Sequence, residues 1–325
     1  MAETSISWTD YTFNPWIGCA KVSPGCKNCY AEAMTKRRTN WGVIWGVNGT
    51  RKKTSLANWR KPLAWNREAK ASGRRGRVFC SSLADVFEDR PDLAPMRSGL
   101  FSLIKVTPDL DWLLLTKRPE NIEKMLPPDW HDGWPNVWLG ASAEDQIRYD
   151  ERIDTLLKTK AKVHFISAEP LLGEIRIRHS PKDGLNWIIV GGESGPNFRR
   201  MDLRWAKKLR DDARKRGVIF FFKQHSAFQP KKVGDLLDGK RHRNWPSVAM
   251  RRPRGRPKVS SLSRSAQIYQ AQRRFRARNA LVPLNKDIIA RVDAVVGRKQ
   301  RADFVETAID LALKIRSPQS QSGDV

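Results

Sequence analysis

Trp112-Leu113-Leu114-Leu115 runs straight into Thr116-Lys117-Arg118, an apolar stretch that stops at a hydroxyl and two cations. The same pattern recurs at Val78–Cys80, Val137–Leu139, Val163–Ile166, Trp187–Val190 and Val218–Phe222. Between the runs lie segments such as Asp145–Lys160 and Leu203–Lys215, whose apolar residues return at helical spacing. Short continuous apolar runs alternating with helices indicate parallel strands buried on both faces. With an earlier strand-like segment at Ile6–Phe13, the pattern predicts six or seven βα units. The expected fold is α/β, a full or partial (β/α) barrel, with a doubly wound open sheet as the alternative.

Each run is followed by polar residues: Ser81-Ser82-Leu83-Ala84-Asp85, Thr116-Lys117-Arg118, Ser142-Ala143-Glu144-Asp145, Ser167-Ala168-Glu169-Pro170, Gly191-Gly192-Glu193 and Lys223-Gln224. These are C-terminal strand ends, where α/β folds assemble their active sites. Lys117, Glu144, Glu169, Glu193 and Lys223 are therefore expected to line one mouth, with Lys117, Glu144, Glu169 and Lys223 as candidate catalytic residues.

The chain of 325 residues is 40% hydrophobic, enough for one sizeable core and something smaller, and its 13 tryptophans are expected mainly in that core. It carries a formal net charge of +27, which points to a polyphosphate partner. Residues 247–325 hold 17 Lys/Arg against 6 Asp/Glu, and residues 247–286 hold 11 basic residues and no acidic one. No apolar run is long enough to span a membrane, and MAETSISWTD lacks the layout of a signal peptide, so the expected compartment is the cytoplasm. In a reducing compartment, clustered cysteines suggest metal or redox chemistry rather than disulfides.

Cys19, Cys26 and Cys29 stand in GCAKVSPGCKNCYAE with C-x6-C-x2-C spacing. Three thiolates in one loop suit a zinc ion or an iron–sulfur cluster. Cys80 falls in an apolar run and reads as a buried hydrophobe. Three ligands with one open position favour a [4Fe–4S] cluster whose fourth iron binds a small molecule, with zinc as the other reading.

The Cys29-Tyr30-Ala31 ending resembles that of the spore-photoproduct-lyase-like radical-SAM proteins. Several further segments resemble a phage-associated three-cysteine-motif family of uncharacterised proteins. They are Ile6-Ser7-Trp8-Thr9-Asp10, Phe13-Asn14-Pro15-Trp16, Leu115–Asn121, Ser167–Gly173, Phe222-Lys223-Gln224, Leu236–Gly239 and Trp245-Pro246. This resemblance covers residues 1–246 and implies a barrel of radical-SAM type holding a [4Fe–4S] cluster on Cys19, Cys26 and Cys29. It also implies S-adenosyl-L-methionine (SAM), cleaved by one electron from the cluster to give a hydrogen-abstracting radical, and hence an electron donor as partner. The radical-SAM pattern has a three-residue first gap where this chain has six. Its Gly-Gly-Glu follows the second strand, whereas Gly191-Gly192-Glu193 follows a late one. SAM contacts are therefore assigned to Ser82 and Asp85, with Gly191, Gly192 and Glu193 as further cofactor-binding candidates.

Beyond Pro246 the composition turns to Arg, Ser, Pro and Gln. Residues 247–275 read as a basic linker in which Arg254-Gly255-Arg256-Pro257 resembles an AT-hook, a motif that threads the A·T-rich minor groove. Residues 276–318 resemble a ribbon-helix-helix domain: a strand at Ala280–Leu284, then helices at Lys286–Val296 and Ala302–Ile315. So small a β-α-α unit implies a homodimer, with Arg276, Arg278 and Asn279 placed to meet DNA. Residues 319–325 read as a disordered tail. The leading expectation is a [4Fe–4S], SAM-dependent radical enzyme that modifies or repairs a DNA base. The rivals are a non-catalytic DNA-binding regulator with a zinc or redox-sensing three-Cys site, and a radical enzyme acting on RNA or a free nucleotide.

Overall fold

The computed structural model describes residues 4–36 and 42–247. The linker beyond residue 247, the AT-hook-like Arg254, Gly255, Arg256 and Pro257, the ribbon-helix-helix-like region with Arg276, Arg278 and Asn279, and the dimer it implies lie outside the described residues. The described part belongs to one compact unit, Met1–Val248. No helix among the described residues is long and apolar enough to cross a membrane.

The chain opens with short strands β1 (Tyr11–Thr12) and β2 (Trp16–Ile17), helix α1 (Tyr30–Lys36) and β3 (Lys52–Lys53). Then come α2 (Leu56–Ser72), β4 (Gly76–Cys80), α3 (Ala94–Lys105), β5 (Leu110–Thr116), α4 (Ile122–Met125), β6 (Val137–Ser142), α5 (Gln146–Lys158), β7 (Val163–Ala168) and β8 (Leu185–Gly191). Helix α6 (Leu203–Arg216), β9 (Ile219–Gln224), α7 (Pro230–Val233) and the hairpin strands β10 (Leu236–Leu237) and β11 (Lys240–Arg241) complete it. Side-chain caps start the longer helices: Ser55 accepts from the amide of Asn58, Asp145 from that of Arg148, and Asp202 from that of Arg204. Gly217, at φ 73°, ends α6 in the left-handed conformation that favours glycine.

Seven strands form one parallel sheet in the order β1-β4-β5-β6-β7-β8-β9, curled into a half-barrel. Alternation along each strand divides its residues between two cores. Val78, Cys80, Trp112, Leu114, Leu139, Ile166, Ile188 and Phe222 join the larger apolar cluster with residues of α3, α5 and α6. Phe79, Leu113, Trp138, Phe165, Trp187, Ile189 and Phe221 join a second cluster with Trp8, and this one fills the concave face. Trp187 lies at its centre, with ring centroids 6.1 Å from Trp8, 6.0 Å from Trp138 and 5.7 Å from Phe165.

Trp245 helps bridge the gap left by the missing part of the barrel. Its indole N–H donates to the Trp8 carbonyl at 2.9 Å, and its ring lies 5.2 Å from Phe221 of β9 and 4.3 Å from the Arg77 guanidinium of β4. It thus ties the two sides of the sheet together.

Two expectations need correction. No helix follows β7: residues 169–184 contain only a 3-10 turn at Pro181–Asp183, because Pro170, Gly173 and Pro181 interrupt any helical run. The strand expected over Ile6–Phe13 shrinks to Tyr11–Thr12. There the Thr9 hydroxyl donates to the Arg77 and Tyr11 carbonyls, and Trp8 turns into the concave core.

Candidate active site

Continuing the inward alternation past each strand end leads from the aromatic floor to polar side chains. Phe79 leads to Ser81, Leu115 to Lys117, Trp138 to Ser142, Phe165 to Ser167 and Glu169, and Phe221 to Lys223. All six of these polar residues border one cavity of about 1090 Å³. Its floor includes Ile6, Trp8, Phe79 and Leu115, and Cys19, Cys26 and Cys29 stand in its wall. The volume is slightly above the roughly 300–1,000 Å³ usual for small-molecule sites, enough for a cofactor and a second ligand.

The three thiols are free and half-buried. Burial pushes the Cys19 thiol up to about 12, with the charges of Asp85 and Glu88 adding to the rise and the nearby Arg118 guanidinium opposing it. Burial also raises Cys29. Among the described residues, no three His, Cys, Asp or Glu side chains converge on a point that would hold a single metal ion. Three free thiols bordering one cavity are the type of donor set that an iron–sulfur group takes.

Carboxylates from distant strands brace the cysteine loop. Glu144, with no exposed side-chain surface, accepts from the Gly25 amide at 2.9 Å and pairs with Arg152 at 3.1 Å. Burial works against its ionisation, but hydrogen bonds from Ser23 and Gly25 outweigh it and hold the carboxyl below its ordinary value. A Cβ on Gly25 would sit 3.1 Å from that carboxyl, a contact tight enough that the carboxyl would have to shift by a few tenths of an ångström. Glu144 is therefore a brace under the loop rather than part of the mouth where the sequence pattern placed it.

Glu193 accepts from the Asn28 side chain at 3.0 Å and from the Arg199 amide at 2.7 Å, and forms an ion pair with the Arg199 guanidinium. Burial disfavours its charge, yet the Arg199 and Asn28 bonds prevail and its pKa is lowered. Arg199 also donates to the Pro24 carbonyl at 3.1 Å. Glu193 thus holds Asn28, one of the two residues between Cys26 and Cys29, and its acceptor sites are engaged by protein donors.

Asp85 is similarly occupied. It accepts from the Phe87 and Lys117 amides, the Thr116 hydroxyl and the Arg118 guanidinium, the last at 2.9 Å. Arg118 passes this order to the loop: its guanidinium lies 3.7 Å from the Cys19 sulfur and donates to the Ala20 carbonyl at 2.9 Å. Ser82 borders the cavity, its hydroxyl 3.1 Å from the Asn14 amide nitrogen.

Lys223 reaches Glu169 at 2.9 Å across β8, and the Ser167 hydroxyl donates to the same carboxylate at 3.0 Å. This crossing needs Gly191, where a Cβ would lie 2.6 Å from a Glu169 oxygen. Gly192 answers a different demand, since a Cβ there would lie 2.2 Å from the Ser226 amide. The paired glycines are explained by these close approaches. Lys117 borders the cavity half-buried and forms no ion pair among the described residues.

Residues 3–246 match a protein family of unknown function, DUF5131. The chain belongs to this family. Neither the curated proteins nor the solved structures contain a match to it. The DUF5131 region spans the sheet, the cysteine loop and every cavity residue named above. Sequence reasoning missed Asn28, Arg152 and Arg199 as parts of the site and gave Arg118 only as a strand-end residue, not as a partner of the cysteine loop. Asn28 meets Glu193 across 165 residues and Arg199 meets Pro24 across 175, contacts that no local spacing signals, whereas Arg152 and Arg199 lie only 8 and 6 residues from the carboxylates they pair with.

Proposed function

We propose that this chain is an iron–sulfur, SAM-dependent radical enzyme that modifies or repairs a base in DNA. The observation that carries the reading is the convergence of three free thiols with Lys117, the Lys223–Glu169 pair and Ser82 around one deep, aromatic-floored cavity. Cys19, Cys26 and Cys29 would hold a [4Fe–4S] cluster, and Glu144, Glu193 and Arg118 would keep their loop in place. When bound, the cluster supplies a single electron that cleaves SAM into methionine and a hydrogen-abstracting 5′-deoxyadenosyl radical. A one-electron reductant must feed it.

The chain's own residues then have three tasks. The floor of Trp8, Phe79 and Leu115 keeps water from the reaction zone, which protects a reactive species from quenching. Lys117, Ser82 and the Lys223–Glu169 pair offer donors and acceptors that orient polar ligands. The basic segment after residue 247, with its AT-hook-like and ribbon-helix-helix-like motifs, would bring DNA to the mouth as a homodimer. The reading places the enzyme in the cytoplasm, in a bacterial or phage-infected cell.

The test is incubation of the iron- and sulfide-loaded protein with SAM, dithionite and DNA, followed by chromatography of small products and digested nucleosides. The expected result is 5′-deoxyadenosine together with an altered nucleoside, both absent from Cys26→Ala/Cys29→Ala protein. Unchanged nucleosides beside 5′-deoxyadenosine would overturn the DNA part, and no SAM cleavage would overturn the radical part.

A further inference from the structure

After β9 the chain rounds the cavity before it turns back along the sheet. The Ala227 amide donates to the Glu193 carbonyl at 3.1 Å, and the Phe222 amide to the His242 carbonyl at 2.9 Å, so both ends of this excursion are pinned. The excursion and the residue after it form a lip at the cavity edge that includes Lys231, Lys232, Asp235, Arg241 and Arg243. Arg241 and Arg243 share the buried Asp235 carboxylate at 3.1 Å and 2.7 Å. One anion between two guanidiniums leaves a net positive charge and fixes both cations while sparing donors on each. Lys231 and Lys232 are exposed and form no ion pair among the described residues. Beside them Phe228 keeps 54% of its surface exposed.

We propose that this lip grips the phosphate backbone of single-stranded DNA and feeds one unstacked nucleotide into the cavity. The inference rests on the DNA reading above and names the form of the substrate. Two observations favour a single strand. The thiols, Lys117 and Glu169 are recessed in a concavity, and a base stacked within a duplex does not reach such a site. An exposed aromatic among cations is what single-stranded DNA uses, the ring for base stacking and the charges for phosphate. An acidic protein partner would use the charges without the DNA.

The test measures binding of a fluorescein-labelled oligodeoxythymidine by anisotropy over a salt series, with full-length protein and no cofactors. An Arg254→Ala/Arg256→Ala background removes the hook-like contribution. On that background, Lys231→Glu/Lys232→Glu is expected to weaken binding at least about tenfold and to lower the log–log salt slope by about 1.4, at roughly 0.7 per phosphate contact. Lys61→Glu/Lys70→Glu on the exposed side of α2 makes the same charge change away from the lip and is expected to weaken binding less than about threefold. Equal losses in the two reversals would overturn the proposal, as would unchanged binding in the lip variant. Failure of wild-type SAM cleavage would count against the radical reading alone, because this assay contains neither cluster nor SAM.

Discussion

The convex and concave faces of the sheet come from the same strands, residue by residue in turn, and they differ in kind. On the convex face Val78, Leu114, Leu139, Ile188 and Phe222 meet helices, and the packing is apolar along the strands. On the concave face an aromatic floor of Phe79, Trp138, Phe165, Trp187 and Phe221 gives way, at the strand ends, to hydroxyls, ammonium groups and carboxylates. Both parities bury core side chains, and the concave one turns polar at the strand ends, where Ser81, Lys117, Ser142, Ser167, Glu169 and Lys223 border the cavity.

If this division is right, changes on the two faces should separate stability from activity. The largest contrast belongs to the cysteine wall. Cys26→Ala/Cys29→Ala should abolish iron binding and SAM cleavage, yet change unfolding free energy by less than about 1 kcal/mol, because both thiols are half-buried at a cavity edge. Metal analysis and urea unfolding check the two halves. A severely destabilised variant would mean that the loop belongs to the core.

Trp187→Ala removes the centre of the floor and should cost about 3–5 kcal/mol. Leu114→Ala on the opposite face should cost about 2–5 kcal/mol, while the protein that remains folded keeps its activity. Activity per folded molecule, from parallel unfolding and turnover measurements, separates them: it should fall for Trp187→Ala and hold for Leu114→Ala.

Gly191→Ala pushes a methyl against Glu169 and should cost about 1–3 kcal/mol. Its turnover should fall further than this instability explains, since the Glu169–Lys223 pair must shift. An unaltered turnover would remove that pair from the catalytic account.

The smallest effect is a pH dependence on the convex side. Burial lowers the pKa of His164 below 6.5, against the help of carbonyl oxygens of Thr159 and Gly184. Above 6.5 the ring is neutral in both states and contributes no slope. As pH falls below 6.5 the unfolded chain takes up a proton first, so stability should decline by up to about 1.4 kcal/mol per pH unit until the folded state also protonates. His164→Asn should flatten that part of the stability profile, as read from urea midpoints across pH.

The strands were legible because burial on both faces leaves runs of apolar residues that need no context. Their ends were less so: Thr116, Ser142 and Ser167 lie inside β5, β6 and β7, since backbone pairing continues after side chains turn polar. The spacing also showed which polar residues gather at one end. It did not show what each does there. Glu144 reads as a mouth residue and lies beneath the cysteine loop, while Glu193 borders the cavity as expected and also holds that loop, through partners 119 and 165 residues away. The pair Gly191-Gly192 suggested a cofactor contact; Gly192 does border the cavity, and the close approaches of Glu169 and Ser226 place a further demand for glycine at both positions.

The most direct test of the account is anaerobic reconstitution with iron and sulfide, followed by iron and zinc analysis and Mössbauer spectroscopy. The account predicts about four irons per chain in a [4Fe–4S] cluster, one iron of which changes its signal when SAM is added. Stoichiometric zinc with no iron–sulfur signal would contradict it.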